Sequence, residues 1–183
     1  MKKVILGVTG GIASYKAVEL ARLFMQSGAE VQVVMTDAAV KFVAPLTFQT
    51  ITGQPVYVEM FARQAGEKVR HVELTDEADV LVVAPATANT IGKMACGIAD
   101  NLLTTVYLAA QCPRVIVPSM NVNMYNHRAV QENLGRLRDD GCSVMEPDTG
   151  ELACGVYGRG RMPEPQDIFK FVRAALTPKD FAG

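Results

Sequence analysis

The sequence predicts a doubly wound α/β fold, in which helices cover both faces of a mostly parallel sheet. Three observations predict it. Short apolar runs such as residues 80–84 (VLVVA) lack polar alternation, which is typical of strands that are covered on both faces. Segments with helical spacing separate these runs, as in consecutive βαβ units. Segments rich in Gly, Asn and Thr follow several of the runs, at the sheet edge where such folds bind ligands.

Length and composition suit one globular domain. The chain has 183 residues, of which 49% are hydrophobic and 20% charged. A net charge of −1 gives no reason to expect a nucleic-acid or membrane partner. The apolar run after Lys2 and Lys3 stops at Thr9, too early for a signal peptide or a membrane span, so we expect a cytoplasmic protein.

The first strand, turn and helix form the most informative stretch. Residues 4–8 predict a buried strand, the turn 9–11 (TGG) ends it, and residues 13–24 predict a helix before Gly28. Paired glycines let a ligand approach the backbone, and a helix N-terminus suits a phosphate. The glycine spacing is not G-x-G-x-x-G, so a plain turn without a ligand is an equally open interpretation.

The remaining elements continue the alternation. Strands are predicted at 30–35, 80–84, 114–117 and 142–145, with an edge strand or extended loop at 56–61. Helices are predicted at 38–43 with Asp37 as N-cap, and at 46–51, 91–96, 101–110, 127–138 and 165–176. Residues 63–70 are charged and predict an exposed loop.

Two C-terminal segments lack a clear period. The glycine-rich residues 146–161 predict a long loop, which within a compact domain is usually functional or mobile. Residues 177–183 predict a tail or the start of a linker. We therefore expect one domain over residues 1–176, followed by that tail.

Polar segments converge where the strands end. The turn 9–11, Thr36, residues 85–90 and residues 118–125 each follow a predicted strand, so they should meet at one sheet edge. Their neutral donors fit a terminal monophosphate, as in FMN, better than NAD(P), which usually requires an acidic ribose partner at the end of strand two. Asp37 is placed to serve as that partner, but a helix cap is the preferred interpretation.

Five segments carry a resemblance to a known family. They are residues 9–16 (TGGIASYK), 71–74 (HVEL), 85–90 (PATANT), 118–125 (PSMNVNMY) and 153–162 (ACGVYGRGRM). Together they resemble the flavin-dependent cysteine decarboxylases, over nearly the whole chain, and most closely the members that act on 4′-phosphopantothenoylcysteine. The resemblance implies a Rossmann-like flavoprotein fold and an FMN-dependent decarboxylation that yields 4′-phosphopantetheine for coenzyme A biosynthesis.

The resemblance also implies roles for individual residues. FMN would be held by Gly10, Gly11, Ile12, Thr36, Thr87, Ala88, Asn89, Thr90 and Ser119. His71 would be the catalytic base and Cys154 the proton donor, while Asn121 would bind the substrate carboxylate, with Ala153 and Met162 lining the substrate. Where the family often has an acidic residue after Ala-Cys-Gly, this chain has Val156, which leaves any role for a carboxylate there in doubt.

The family further implies an assembly. Its members form trimers, often four trimers to a dodecamer, with flavin sites at subunit interfaces. Residues 176–183 (LTPKDFAG) look like the join to a C-terminal ligase domain of the bacterial two-domain protein, so the chain is expected to be its N-terminal half.

The implied chemistry explains why such residues are needed. Direct loss of CO₂ from a cysteine would leave an unstabilised carbanion, whereas prior oxidation by the flavin gives a thioaldehyde that accepts the electrons. The resulting enethiol is then protonated and reduced again. A histidine moves protons near neutral pH. An asparagine binds a carboxylate through a neutral amide, whereas a permanent cation would stabilise the carboxylate and oppose its departure as CO₂. A cysteine on a loop supplies an acid whose pKa is within reach of neutrality.

Other interpretations remain beside this one. A flavin prenyltransferase shares the fold and the FMN site but does not need Cys154 or the 118–125 segment. A peptidyl-cysteine decarboxylase uses the same chemistry on a peptide, and the tail speaks against it. A non-catalytic regulatory subunit would typically lack His71 or Cys154.

Several of the singled-out residues have simpler structural interpretations. A lone histidine is more often structural than catalytic, and the resemblance alone reverses this for His71. His127, at a predicted helix start, is expected on the surface or as a cap. Cys96, Cys112 and Cys142 are expected to be inert core thiols. No cysteine pair has C-x-x-C spacing, so no metal site is expected.

Replacing Cys154 should uncouple the two halves of the reaction. Cys154→Ser is expected to oxidise and decarboxylate the substrate but to stall at the enethiol, because the proton donor for its reduction is gone. Mass spectrometry of the product would detect the loss of two hydrogens together with CO₂. Normal turnover to the saturated thiol would rule out the role assigned to Cys154.

Replacing His71 should stop the reaction without displacing the cofactor. His71→Asn is expected to abolish turnover, because no base remains near neutral pH, while FMN stays bound. The absorption spectrum reports the bound flavin, and release of CO₂ reports turnover. An unchanged rate would remove His71 from the mechanism.

Overall fold

The main sheet carries the site-forming loops at one edge. Within the part of the chain that the computed structural model describes, residues 1–60, 74–76, 78–151, 155 and 157–176, six parallel strands form this sheet. The strands are β1 (Lys3–Val8), β2 (Glu30–Met35), β3 (Val56–Tyr57), β4 (Val80–Ala86), β5 (Arg114–Pro118) and β6 (Ser143–Val144). Their order is β3-β2-β1-β4-β5-β6, so the direction of winding reverses between β1 and β4. Such a switch point opens a crevice at the C-terminal ends of the strands.

Helices cover both faces of the sheet, as the sequence predicted. They are α1 (Ser14–Gln26), α2 (Asp37–Val40), α3 (Pro45–Thr52), α4 (Ala88–Ala95), α5 (Leu102–Ala109), α6 (Val122–Asn126), α7 (Arg128–Asp139) and α8 (Pro165–Ala175). Helices α1, α3 and α8 pack on one face, while α4, α5 and α7 pack on the other. The predicted doubly wound α/β fold is therefore confirmed.

Each strand supplies both cores by alternation. In β1, Val4, Leu6 and Val8 point into the first core, whereas Ile5 points into the second. These side chains are fully buried, which explains why the strand sequences are continuously apolar. Gly7 faces the second core, where a Cβ would come within 2.5 Å of a Leu103 methyl group. The glycine thus lets α5 approach the centre of the sheet.

The segment predicted as a long loop is an antiparallel ribbon instead. Strands β7 (Asp148–Glu151) and β8 (Tyr157–Arg161) pair with each other and leave the main sheet. Alternation of apolar side chains is missing because the ribbon faces solvent on both sides over most of its length. Without a buried face, its sequence has no strand period to read.

Three smaller expectations are wrong. Asp37 is not the helix cap: Thr36 is, since its Oγ1 accepts a hydrogen bond from the Ala39 amide at 3.3 Å. Cys96 is exposed rather than in the core, because it follows the last turn of α4. The last core strand is shorter than the predicted 142–145. The edge strand at 56–57 and the cap formed by His127, whose Nδ1 accepts from the Ala129 amide, are confirmed.

Candidate active site

A cavity lies at the switch point of the sheet. Its volume is about 500 Å³, and its walls come from the β1–α1 turn, the start of α4, the segment after β5, and the end of β8. A volume of this size accommodates a small-molecule ligand. Eight residues singled out from the sequence line it: Gly10, Gly11, Ile12, Thr87, Ala88, Ser119, Asn121 and Met162.

Two adjacent glycines in the β1–α1 turn have different reasons to be glycine. A Cβ on Gly10 would overlap the Cβ of Ala38, so Gly10 lets the turn pack against α2. A Cβ on Gly11 would meet only Thr87 Cγ2, at 3.8 Å. No described protein atom therefore requires glycine at position 11. The space in front of it belongs to the cavity, which is where a ligand would approach the backbone.

The N-terminus of α1 is open towards this cavity. No side chain caps it, and its first turn holds no acidic residue. The Ser14 hydroxyl is directed back into the turn, 2.5 Å from the Gly11 carbonyl oxygen and 2.9 Å from that of Thr9. The first amides of a helix have no intrahelical partner and carry a partial positive charge. This end of α1 can therefore receive an anionic group such as a phosphate.

A buried hydroxyl joins the first two walls of the cavity. Thr9 is fully buried, and its Oγ1 donates to the Pro85 carbonyl oxygen at 2.7 Å. The same oxygen accepts from the Thr87 amide at 3.0 Å. Thr87 in turn caps α4, with its hydroxyl 3.2 Å from that of Thr90. The ends of β1 and β4 are thus held in one arrangement by one side chain.

The third wall follows β5. The Ser119 amide donates to the Ala86 carbonyl at 3.0 Å, which ties this wall to β4. Asn121 is the N-cap of α6, and its Oδ1 accepts from the Asn123 amide at 2.8 Å. This hydrogen bond fixes the orientation of the Asn121 side chain at the cavity wall.

The ribbon closes the cavity from above the third wall. The Met120 amide donates to the Gly160 carbonyl at 3.0 Å, and a Cβ on Gly160 would overlap the Met120 carbonyl oxygen. A Cβ on Gly158 would lie 2.7 Å from a Val122 methyl group. Gly160 is needed because the ribbon lies against the backbone just before α6, and Gly158 because it lies against the Val122 side chain of α6. The glycine-rich sequence, read as a loop signal, instead reflects this close packing.

Six other predicted site residues do not line the cavity or cannot be placed. Thr36 caps α2, Asn89 is exposed, and Thr90 is buried beneath Thr87. His71, Ala153 and Cys154 lie outside the described residues, and so does Val156. Their roles stay predictions.

Sequence reasoning missed a charged group at the cavity rim. Lys16 is only 6% exposed, and its Nζ donates to the Met162 carbonyl at 2.9 Å and to Glu164 Oε1 at 2.8 Å. Arg161 contacts the same carboxylate oxygen at 2.9 Å. The hydrogen bond from Lys16 lowers the pKa of Glu164, so the carboxylate is ionised at neutral pH. The available signal was the position of Lys16 on the buried stripe of α1, four residues before Leu20.

Seven further residues line the cavity; all but Glu151 lie in segments that carry the family resemblance, but none was assigned a role from the sequence. They are Ala13, Tyr15, Met120, Met124, Glu151, Gly160 and Arg161. Within the described residues, no cluster of three or more His, Cys, Asp or Glu side chains could hold a metal ion. None of the helices described is long and apolar enough to cross a membrane.

Comparison with known proteins places this geometry in context. The family described as Flavoprotein matches residues 1–177. The chain is 49% identical over 181 residues to the coenzyme A biosynthesis bifunctional protein CoaBC of Bacillus subtilis (strain 168), covering 99% of this chain and 43% of that protein. The chain thus spans less than half the length of the curated relatives it matches.

Solved structures share the whole fold. One is a PPC decarboxylase mutant complexed with pantothenoylaminoethenethiol, with a TM-score of 0.85 and 35% identity, covering 94% of this chain and 97% of the other. Another is the FMN-dependent cysteine decarboxylase SpaF, with a TM-score of 0.80 and 34% identity, covering 97% and 98%. Both similarities extend over at least 94% of this chain.

Removing the Thr9 hydroxyl should loosen the junction of the first two walls. Thr9→Val keeps the shape but leaves the Pro85 carbonyl and the Thr87 amide without their partner, so we expect the free energy of unfolding to fall by about 1–3 kcal/mol. Urea-induced unfolding measures this change. Thr9→Ser is the control, because it retains the hydroxyl, and it should lose less. Equal stability of the valine variant and the wild type would contradict the assigned role.

Proposed function

This chain belongs to the flavoprotein family, and we propose that it binds FMN and decarboxylates 4′-phosphopantothenoylcysteine to 4′-phosphopantetheine, a step of coenzyme A biosynthesis. The observation that carries the proposal is one cavity that unites the glycine turn, the start of α4 and Asn121. Relatives named for coenzyme A biosynthesis and structures named as PPC and FMN-dependent cysteine decarboxylases support it.

The residues around the cavity fit FMN. The open N-terminus of α1 has no acidic side chain to repel a phosphate, and Gly11 leaves room for a ligand against the backbone. Thr87 and Ser119 add hydroxyls on two other walls. We assign the phosphate to the α1 end, with the Ile12 amide as a donor, because the Gly11 amide already donates to the Thr9 carbonyl at 3.0 Å. Thr36, Asn89 and Thr90 do not line the cavity, so their contacts with FMN stay predictions.

Asn121 is proposed to hold the carboxylate that leaves as CO₂. Its Oδ1 is already engaged by the Asn123 amide, so the side-chain amide is held in a defined orientation at the wall. A neutral donor binds the carboxylate without the strong ground-state stabilisation that a guanidinium would give. Bound FMN supplies a reversible two-electron acceptor, which makes the thiol-bearing carbon of the substrate an electron sink.

The proton transfers are assigned on the resemblance. His71 would accept a proton from the substrate thiol, and Cys154 would protonate the enethiol carbon. Met162 and Ala153 would line the substrate, and the Lys16 contact to the Met162 carbonyl supports a fixed position for the first of them. The ribbon lies against the third wall through the Met120–Gly160 hydrogen bond, and we propose that it shelters these proton transfers from water.

Assembly and location belong to the same proposal. Relatives that are named bifunctional and are more than twice as long support a ligase domain elsewhere in the full-length protein. A trimer, or a dodecamer of four trimers, rests on the resemblance alone, and the cytoplasmic location stays the prediction made from the sequence pattern. Gel filtration with light scattering distinguishes these oligomers.

Gly11 provides a direct test of FMN binding. A Cβ at position 11 would enter the cavity without touching the protein closely, so Gly11→Ala should fold normally but bind FMN more weakly, by about tenfold or more. Titration of the apoprotein, followed by flavin absorption, gives the two dissociation constants. Gly135→Ala is the matched control, because a Cβ there, on α7, meets nothing within 4 Å and lies outside the cavity lining.

Two results would argue against the proposal. One is a wild-type protein that takes up no FMN; the other is a Gly11→Ala variant that binds FMN as well as the control. The substrate is tested separately by CO₂ release from 4′-phosphopantothenoylcysteine, compared with a peptide that ends in cysteine. Preference for the peptide would redirect the proposal to the peptidyl-cysteine decarboxylases.

A further inference from the structure

A second group of interacting side chains lies beside the cavity without lining it. Its centre is Glu146, which follows β6 and directly precedes the ribbon. Glu146 Oε2 accepts a hydrogen bond from the Tyr125 hydroxyl and lies 3.3 Å from an Arg159 nitrogen. Its Oε1 accepts from Arg138 at 2.6 Å. One carboxylate therefore contacts α6, α7 and β8.

Tyr125 makes this contact specific. Its side chain is 4% exposed, so only its hydroxyl end reaches the Glu146 carboxylate. Burial, followed by the hydrogen bond to Glu146, raises the pKa of Tyr125, so the phenol remains a protonated donor at neutral pH. The Arg159 guanidinium also lies 5.9 Å from the centre of the Tyr125 ring. Arg159 is thereby positioned against both partners of the hydrogen bond.

The geometry of α6 connects this group to the cavity. Helix α6 has five residues, with Asn121 as its N-cap and Tyr125 in its last turn. At one end, the chain is held by the Met120–Gly160 backbone hydrogen bond; at the other, it is held by Glu146. A helix this short is not stable by itself, so its position depends on these tertiary contacts.

We propose that Glu146 is a positioning residue for substrate binding: it fixes α6 against the ribbon and so sets the place of Asn121 in the cavity. The inference rests on the proposed function, in which Asn121 binds the substrate carboxylate. It also separates the site into two parts. The FMN side depends on Thr9 and the glycine turn, whereas the substrate side depends on Glu146.

Charge alone does not explain the arrangement. The Glu146 side chain is 45% exposed, and exposed ion pairs contribute little to stability. A network that joins three elements acts differently, because it restricts where those elements lie relative to one another. We therefore expect the effect of Glu146 to appear in substrate binding and in the local order of α6 rather than in global stability.

The test compares truncation of two ion-paired glutamates. Glu146→Ala removes the contacts to α6, α7 and β8, while Glu132→Ala removes an exposed pair with Arg128 within α7 and serves as the matched control. Glu146→Ala should raise KM for 4′-phosphopantothenoylcysteine by about tenfold, since small displacements of a binding group are costly. Its affinity for FMN should be unchanged. The Glu132→Ala variant should match the wild type.

Hydrogen exchange tests the same inference without a substrate. In Glu146→Ala, amide exchange in residues 119–127 should accelerate by about tenfold, because local opening there becomes easier, while residues 4–26 keep their protection.

A wild-type protein that does not decarboxylate this substrate would overturn the proposed function, and hydrogen exchange would still decide whether Glu146 positions α6. Unchanged exchange in 119–127 would overturn the inference. So would a parallel loss of protection in 4–26, since that indicates general destabilisation.

A double-substitution cycle identifies the contact responsible. Tyr125→Phe removes only the hydroxyl, and it should raise KM in the same direction as Glu146→Ala. The double variant should be no worse than Glu146→Ala alone, because both changes break the same link. Additive effects on KM would overturn the link between Tyr125 and Glu146.

Discussion

The Thr9 hydroxyl connects the two strands between which the cavity opens. The pairing of β1 with β4 extends to Gly7 and Val83, and beyond this point the two chains turn towards opposite faces of the sheet. Thr9 links the two chains there, by donating to the Pro85 carbonyl near the end of β4 and accepting from the Thr87 amide just after it. Because the hydroxyl is fully buried, both groups would otherwise be unsatisfied. The open end of α1 and the capped end of α4 consequently face the same cavity.

The cavity is built from two parts that depend on different forces. The sheet edge supplies a rigid floor, whose residues are held by two fully buried hydrophobic cores. The ribbon and α6 supply the upper wall, and they are held mainly by backbone contact and by charged groups. Lys16 ties the end of β8 to α1, and Glu146 ties its middle to α6 and α7. Our proposal places the cofactor on the floor and the substrate under the ribbon, in keeping with this division.

The errors of the sequence interpretation have a common origin. Thr36 and Asp37 are adjacent, and both residue types are good helix caps. Which of them caps α2 depends on the residue at which β2 ends. Strands β7 and β8 form a ribbon without an apolar period, and its Gly158 and Gly160 fit closely against Val122 and Met120. Lys16 is buried because Glu164 and the Met162 carbonyl, almost 150 residues away, satisfy its charge. In each case the deciding partner is distant in the chain.

Local pattern was sufficient for the sheet, the covering helices and the convergence of four segments on one edge. Apolar runs, helical spacing and glycine turns reflect burial and backbone sterics, which act over a few residues at a time. The resemblance of five short motifs extended the sequence-based prediction from the fold to the family and to FMN as the cofactor. Tertiary contacts decided what local pattern does not encode. Gly10 is required by packing against α2, whereas Gly11 faces the open cavity. Asn121 caps a short helix that is held at both of its ends by contacts with distant segments. These features depend on distances between elements far apart in the chain, and only the folded structure sets those distances.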